Sequence, residues 1–439
     1  MSALAHQGKL PFRFILLWAT KSISVGMSAV LMMQFTFYAT DVVGLDAGFV
    51  GILMLTSKLL DAAIGLVVGF LVDRTHTRWG KGRPYDLFLI PMWICVVLLF
   101  SAPEWNMTGK AIYVFAFYSL ANAVLLTLLG GGESAYIGRA IPADHHRARL
   151  TSVSGVLVML VCTVGSVILP LLMATWGTQP NGWRNISLAF AAPMCILGML
   201  RFMTIKEKSV AIKAAKNETI GIREGMRLVL GNRYVFVLAP ASLLCSLAQT
   251  ISSIVATYYF TYIVGDLKMM SYIGMIGIIS PLVLLLFPLA IRTIGGMNFV
   301  RIGLVLAIVG NLLKLLDLTS IPVLIISQLL SNTGLSSLLM MQGYFLLQSI
   351  DYGEQIQGKR VEGLSAAING LYSKIGAGLA SVLIGGLMGV AGYVNLASQQ
   401  PSPVIQTIVA LYSWIPAVLC VLMLITVHFY DLDKKQIVH

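Results

Sequence analysis

The chain has 439 residues, 57% of them apolar and only 11% charged, with a net charge of +12; a water-soluble domain carries about 25% charged residues. The apolar residues fall in runs of roughly 20 or more, the length a helix needs to cross about 30 Å of hydrocarbon, rather than in short alternating segments. These figures exclude a soluble enzyme and an outer-membrane barrel. Cys95, Cys162, Cys195, Cys245 and Cys420 all lie inside apolar runs without paired spacing or histidine neighbours, so neither a disulfide framework nor a metal site is indicated. The first apolar run lacks a small-residue cleavage pattern and reads as a retained span.

Twelve spanning helices are predicted, at 12–38, 48–72, 85–103, 111–138, 150–175, 184–204, 236–263, 270–291, 298–318, 321–347, 363–392 and 403–429. Both termini then share one side of the membrane. Of the 30 Lys and Arg, four lie well inside spans (Lys21, Lys58, Lys314, Lys374) and three in or at the edge of the loops after spans three, five and seven (Lys110, Arg184, Lys268), which leaves 23 on the other side, at or near the ends of the spans. The excess of cations makes that side cytoplasmic, both termini included, in a multi-pass protein of the plasma membrane. Anionic lipid headgroups suit this charge better than nucleic acid does. The longest hydrophilic stretch, 205–234, mixes Lys206, Lys208, Lys213, Lys216, Arg223, Arg227 and Arg233 with Ile220, Ile222, Met226, Leu228 and Val229. It reads as a cytoplasmic linker, an amphipathic helix at the inner interface, joining a six-helix half at 1–204 to another at 235–439. That layout is common in secondary transporters, which bind solute near the midplane between repeats.

Three segments stand out. Asp73-Arg74-Thr-His-Thr-Arg78-Trp79-Gly80-Lys81-Gly82-Arg83-Pro84 follows span two, with Gly69 four residues ahead of Asp73. Asp351-Tyr-Gly-Glu354 and Gly358-Lys359-Arg360-x-Glu362-Gly363 lie between spans ten and eleven, and Tyr38-x-Thr40-Asp41-Val-Val-Gly44-Leu45 closes span one. Opposite charges at the inner ends of helices from both halves can lock the cytoplasmic side and must part when the halves rock. Topological anchoring by Arg and Lys alone would need no acids, no Trp and no fixed Gly. Asp73, Arg74, Arg78, Lys81, Asp351, Glu354, Lys359 and Arg360 are therefore candidate gating residues. The segments resemble the glycoside, pentoside and hexuronide:cation symporters, the melibiose permease-like branch of the major facilitator superfamily. The resemblance implies an all-α membrane protein with twelve helices in the major facilitator fold.

A lone charge at the centre of a span costs about 2.5 to 3.5 kcal/mol, so each one calls for a reason. Span two carries Lys58 and Asp61, three apart on one helix face and close to the midplane. In the family this helix holds two acids, four residues apart, that share sodium, lithium or a proton with the sugar; Asp61 matches the first and Gly65 stands at the second. A hard cation wants several oxygen ligands, whereas one carboxylate suffices for a proton. Span one has Lys21, where the family has an acid nearby that contacts sugar hydroxyls, with Ser22, Ser24 and Ser28 around it. On span four the family's sugar-binding position falls on Gly130 of Gly130-Gly-Gly-Glu133; Glu133 either projects into the same cavity or faces the cytoplasm and pairs with Arg139. The three glycines admit either a bulky ligand or tight helix packing. Lys374 and Asn369 match positions that line the family's cavity and couple to the cation site, and Asp61 is the best partner for Lys374. Gln249 and Tyr258 on span seven and Gln342 on span ten suit a hydroxyl-rich ligand. Lys314 and Asp317 read as a snorkelling surface pair.

The expected function is a secondary active transporter working by alternating access. It is a proton-coupled rather than sodium-coupled symporter of a glycoside or related polar solute, including an anionic one, since three buried lysines face two buried acids. It acts as a monomer, without a cofactor, on a small-molecule substrate in the lipid bilayer. Two alternatives keep the fold: a carrier of lysolipids or other amphiphiles, and a non-transporting sensor or assembly protein. No nucleophile–base set, metal cluster or phosphate loop supports an enzyme.

Overall fold

With no water in the bilayer core, backbone polar groups must be satisfied within their own segment, so the apolar runs fold as helices. The computed structural model describes residues 11–75, 77–141, 144–207, 227–229, 231–275, 293–358, 361–395, 397 and 399–430. Its main helices are α1 (Phe12–Met32), α2 (Ala47–Arg74), α3 (Leu89–Leu99), α4 (Met107–Ser119), α5 (Leu126–Ala140), α6 (Asp144–Trp176), α7 (Gly182–Thr204), α8 (Arg233–Tyr259), α9 (Gly296–Leu313), α10 (Ile321–Gln357), α11 (Glu362–Val390), α12 (Ser402–Val409) and α13 (Ile415–His428). Among the described residues ten helical segments are long and apolar enough to cross a membrane. The expected third span is shorter than that: Pro84 opens a 3-10 turn at Arg83–Phe88, and only Leu89–Leu99 is α-helical. Most of the eighth, 276–291, lies outside the described residues, as does 208–226 of the linker with its expected amphipathic helix. Asp351 and Glu354, expected in a loop, sit on the last turns of α10.

Four π-helical turns interrupt the spans among the described residues: Tyr38–Val42, Leu120–Leu125, Phe260–Val264 and Ala410–Trp414. The first and third end in matching strings, Ala39-Thr40-Asp41-Val42-Val43-Gly44 and Phe260-Thr261-Tyr262-Ile263-Val264-Gly265. In each the threonine hydroxyl donates to the carbonyl four residues back (Thr40 to Thr36, 3.1 Å; Thr261 to Thr257, 2.8 Å), and each closes on a glycine with φ near +80°. Spans one and seven thus end alike, the mark of an internal repeat.

By contacts the chain forms two compact units, Met1–Leu45 with Leu59–Lys213, and Asp46–Lys58 with Ala214–His439. In the first, α1 packs on α6 and α7, and α3 on α7. In the second, α8 packs on α11 and α13, and α9 on α10. The start of α2 belongs to the second unit because small residues let it approach α11: a Cβ on Gly51 would lie 2.6 Å from the Ser381 carbonyl oxygen. A division at the linker alone misses this segment.

Lys314 and Asp317 do not form the expected surface pair. Lys314 is only 1% exposed and donates to Asn311 Oδ1 and the Tyr412 carbonyl oxygen, both at 3.1 Å. Asp317 accepts from the backbone N–H groups of Thr319 and Ser320, which hold its carboxyl below the ordinary aspartate range.

Candidate functional site

In the N-terminal unit four charged residues from α1, the 3-10 turn, α5 and α7 form one network. Lys21 Nζ on α1 donates to Glu133 Oε2 and to the Leu129 carbonyl oxygen on α5, each at 2.9 Å. Arg201 on α7 grips Glu133 with two N–H groups (2.7 and 2.9 Å) and Asp86 of the 3-10 turn with two more (2.8 and 2.5 Å). Its guanidinium lies 4.9 Å from the ring centres of both Trp18 and Tyr136. Arg201 and Asp86 are each 1% exposed, whereas the Glu133 side chain is 32% exposed, so the network opens to its surroundings at Glu133. Two cations and two carboxylates balance here, so Lys21 no longer counts towards an excess of buried positive charge. Glu133 turns to Lys21 and Arg201; the Arg139 side chain lies outside the described residues.

Asp61, further along α2, is buried and accepts a 2.6 Å hydrogen bond from the Thr127 hydroxyl on α5. The α5 glycines divide between the two expected uses. A Cβ on Gly130 would meet nothing within 4 Å, whereas Gly132 packs against Tyr85 and the Gly82 carbonyl oxygen. Only Gly130 faces open space.

The C-terminal unit brings together two of the predicted solute-binding residues and one unpredicted one. Ser242 on α8 donates to Asn369 Oδ1 on α11 at 2.5 Å, and the Gln342 amide on α10 donates to the Ser242 hydroxyl and, at 3.4 Å, to Asn369. Gln249 and Tyr258 lie further along α8, Gln249 half-buried and Tyr258 fully buried against the edge of Tyr393, and they do not join this cluster. Lys58 and Lys374 are half-buried on α2 and α11, with the Lys58 Cβ in van der Waals range of Gly378.

The loop after α2 is held by a residue that the sequence places in the linker. The Glu207 carboxylate accepts from three successive backbone N–H groups, those of Lys81, Gly82 and Arg83, at 2.9, 3.0 and 3.0 Å. Three such donors in a row form a nest for an anion. Arg83 in turn donates twice to the Phe202 carbonyl oxygen, and a Cβ on Gly80 would collide with Glu207, which explains the glycine there. Arg78 lies over Trp79, 4.8 Å from its ring centre, and Arg74 is exposed. Asp73 lies on the last turn of α2, Asp351 is half-buried, Glu354 is exposed, and Lys359 and Arg360 lie outside the described residues. Hydrogen bonds to a charged group contribute about 1.5 to 3 kcal/mol. Glu207→Ala is therefore expected to loosen the loop, raising the rate of tryptic cleavage after Arg78 and Lys81 by about tenfold. An unchanged cleavage rate would contradict the latch.

Arg201, Asp86, Thr127, Ser242 and Glu207 escape the sequence reading. Arg201 and Asp86 lie at the ends of spans, where charges are routine, and only the buried partner across the bundle marks them out.

The profile of the family described as "MFS/sugar transport protein" matches residues 19–434. An isoprimeverose transporter of Lactiplantibacillus pentosus is 27% identical over 99% of this chain and 92% of its own length. An uncharacterized symporter of Bacillus subtilis is 30% identical over 91% of this chain and 87% of its own. Among solved structures, a bacterial homologue of the human lysosomal transporter Spinster superposes with a TM-score of 0.72 at 14% identity, covering 98% of both chains. The all-α major facilitator fold and these matches over nearly the whole length place the chain in the MFS/sugar transport family, whose members are membrane transporters and not enzymes.

Proposed function

We propose that the protein is a proton-coupled symporter that brings a glycoside into the cell, with Asp61 and Lys374 as the coupling residues. The carrying observation is the residue pattern on α2: Asp61 is buried and accepts from the Thr127 hydroxyl, and Gly65 stands one turn along where the family's second acid would be. Gly65 leaves a hard cation such as sodium, which takes several oxygen ligands, one carboxylate short on this helix, whereas a single carboxylate suffices to carry a proton. Glycoside as the solute class follows from the relative named as an isoprimeverose transporter. On this reading the amide and hydroxyl cluster Ser242–Gln342–Asn369 and the exposed edge of Glu133 take solute hydroxyls, with Gly130 leaving room for the sugar. The charge pattern sets both termini in the cytoplasm, and the loop residues Asp73, Arg74, Arg78, Lys81, Asp351, Glu354, Lys359 and Arg360 form the inner gate. The linker separates two six-helix halves, and the protein works as a monomer.

The reading is tested by isoprimeverose uptake into proteoliposomes under an imposed proton gradient and, separately, a sodium gradient. The parent is expected to accumulate solute under the first only. Gly65→Asp, which restores a second carboxylate, is expected to respond to sodium. Accumulation by the parent under sodium alone would overturn the proton assignment.

A further inference from the structure

A cavity of about 500 Å³ opens in the N-terminal unit beside the π-helical turn Tyr38–Val42, the ends of α3 and α6 and the starts of α4 and α7. Its inner wall is aromatic: Trp183 stacks on Phe100 with ring centres 5.6 Å apart and approaches Tyr38 at 5.3 Å, while the Tyr38 hydroxyl is held by the Ala102 N–H at 3.1 Å. Around these rings stand Lys110, Arg184 and Glu104. None of the three forms an ion pair among the described residues. A volume of this size falls within the range of small-molecule sites, and stacked rings beside convergent polar groups are their usual lining.

The distribution of basic residues gives these cations further meaning. On the side of the membrane opposite the basic one the loops carry three cations, Lys110, Arg184 and Lys268. Topology selects against Lys and Arg there. Two of the three nevertheless line this one cavity, beside the single carboxylate of Glu104. Two cations against Glu104 leave a single positive charge, the complement of a monoanion. Asn181, whose backbone is left-handed at φ 58° and whose side chain does not cap α7, adds an amide to the same wall.

We propose that this cavity is an outer capture site for a glycoside bearing one carboxylate or sulfonate, with Lys110 and Arg184 holding the anionic group and Glu104 and Asn181 taking hydroxyls. The proposal rests on the glycoside reading and on the orientation given by the charge pattern. It locates preference for an anionic solute at the outer end of the N-terminal unit, since Lys21 is neutralised by Glu133. A cationic cleft raises the local concentration of such a solute and its association rate, an effect that salt weakens.

The test uses the full-length protein in nanodiscs of neutral phosphatidylcholine, titrated calorimetrically with methyl β-D-glucuronide and with methyl β-D-glucoside. Lys110→Gln with Arg184→Gln is expected to weaken glucuronide binding about tenfold and leave glucoside binding unchanged, and each single variant should show part of the loss. Failure of the parent to bind glucuronide, unchanged binding in the double variant, or equal losses for both probes would overturn the proposal. Nanodiscs containing phosphatidylglycerol separate the two sources of an anion: if that lipid abolishes glucuronide binding, the site holds a headgroup phosphate and the solute assignment fails. The binding measurement uses no ion gradient, so a failure of the coupling assignment leaves it readable.

Discussion

Arg201→Met is expected to yield little folded protein and no measurable transport. Arg201 is the hub of the buried network, bound through two N–H groups each to Asp86 and Glu133 and flanked by the rings of Trp18 and Tyr136. Without it Asp86, 1% exposed, would be a buried carboxylate stripped of its ion-pair partner. Removing one partner of a buried ion pair costs about 3 to 5 kcal/mol, a large part of the 5 to 15 kcal/mol that holds a typical domain together. The loss comes from the orphaned charge and not from the missing contacts alone. Arg201→Met combined with Asp86→Asn restores neutrality, with Lys21 still on Glu133, and is expected to regain at least half of the lost thermal stability. Arg201→Lys should fall between, because a point charge cannot reproduce two forked pairings at once. Thermal unfolding of the parent, Arg201→Met, Asp86→Asn and the double variant by size-exclusion detection forms a double-mutant cycle. Equal stability of Arg201→Met and the parent would show that the network does not hold the unit.

Asp61→Asn should abolish concentrative transport while leaving binding and exchange intact. The amide fixes the site in a form close to the protonated acid, so solute and proton no longer depend on each other. A gradient of one pH unit supplies about 1.4 kcal/mol per proton, enough for about tenfold accumulation by the parent. The variant is expected to equilibrate solute without concentrating it and to exchange labelled for unlabelled solute at near the parental rate. Accumulation equal to that of the parent would remove Asp61 from the coupling step and move attention to Glu133, the most exposed member of the charge network.

How much of this was legible in the sequence follows from what spacing can and cannot report. Apolar runs long enough to span a bilayer fix the helical class, because lipid leaves few other choices for the backbone. The loop Arg78–Pro84 was legible as a motif, yet the reason for its glycines was not: Gly80 and Gly82 make room for Glu207 and for α5, neither of which is near in sequence. Spacing along a helix reveals neighbours three or four residues apart and is silent about the facing helix. Lys21 and Glu133 were each visible as charges in need of a reason, but not as each other's partner. Lys314 reads as a snorkelling residue because a cation near a span end can reach water; packing instead turns it inward, as it does Arg201 near the end of α7. The start of α2 joins the second unit through glycines on two helices, a contact that no hydropathy pattern records.

Coupled proton flux tests the central assignment most directly. Proteoliposomes are equilibrated without any ion gradient in lightly buffered medium, isoprimeverose is added outside, and external pH and internal sugar are followed together. Entry of sugar is predicted to alkalinise the medium in the parent, by close to one proton per sugar, and to do so equally with and without sodium. Asp61→Asn is predicted to give no alkalinisation. Sugar entering the parent with no proton movement, or only when sodium is present, would contradict the account.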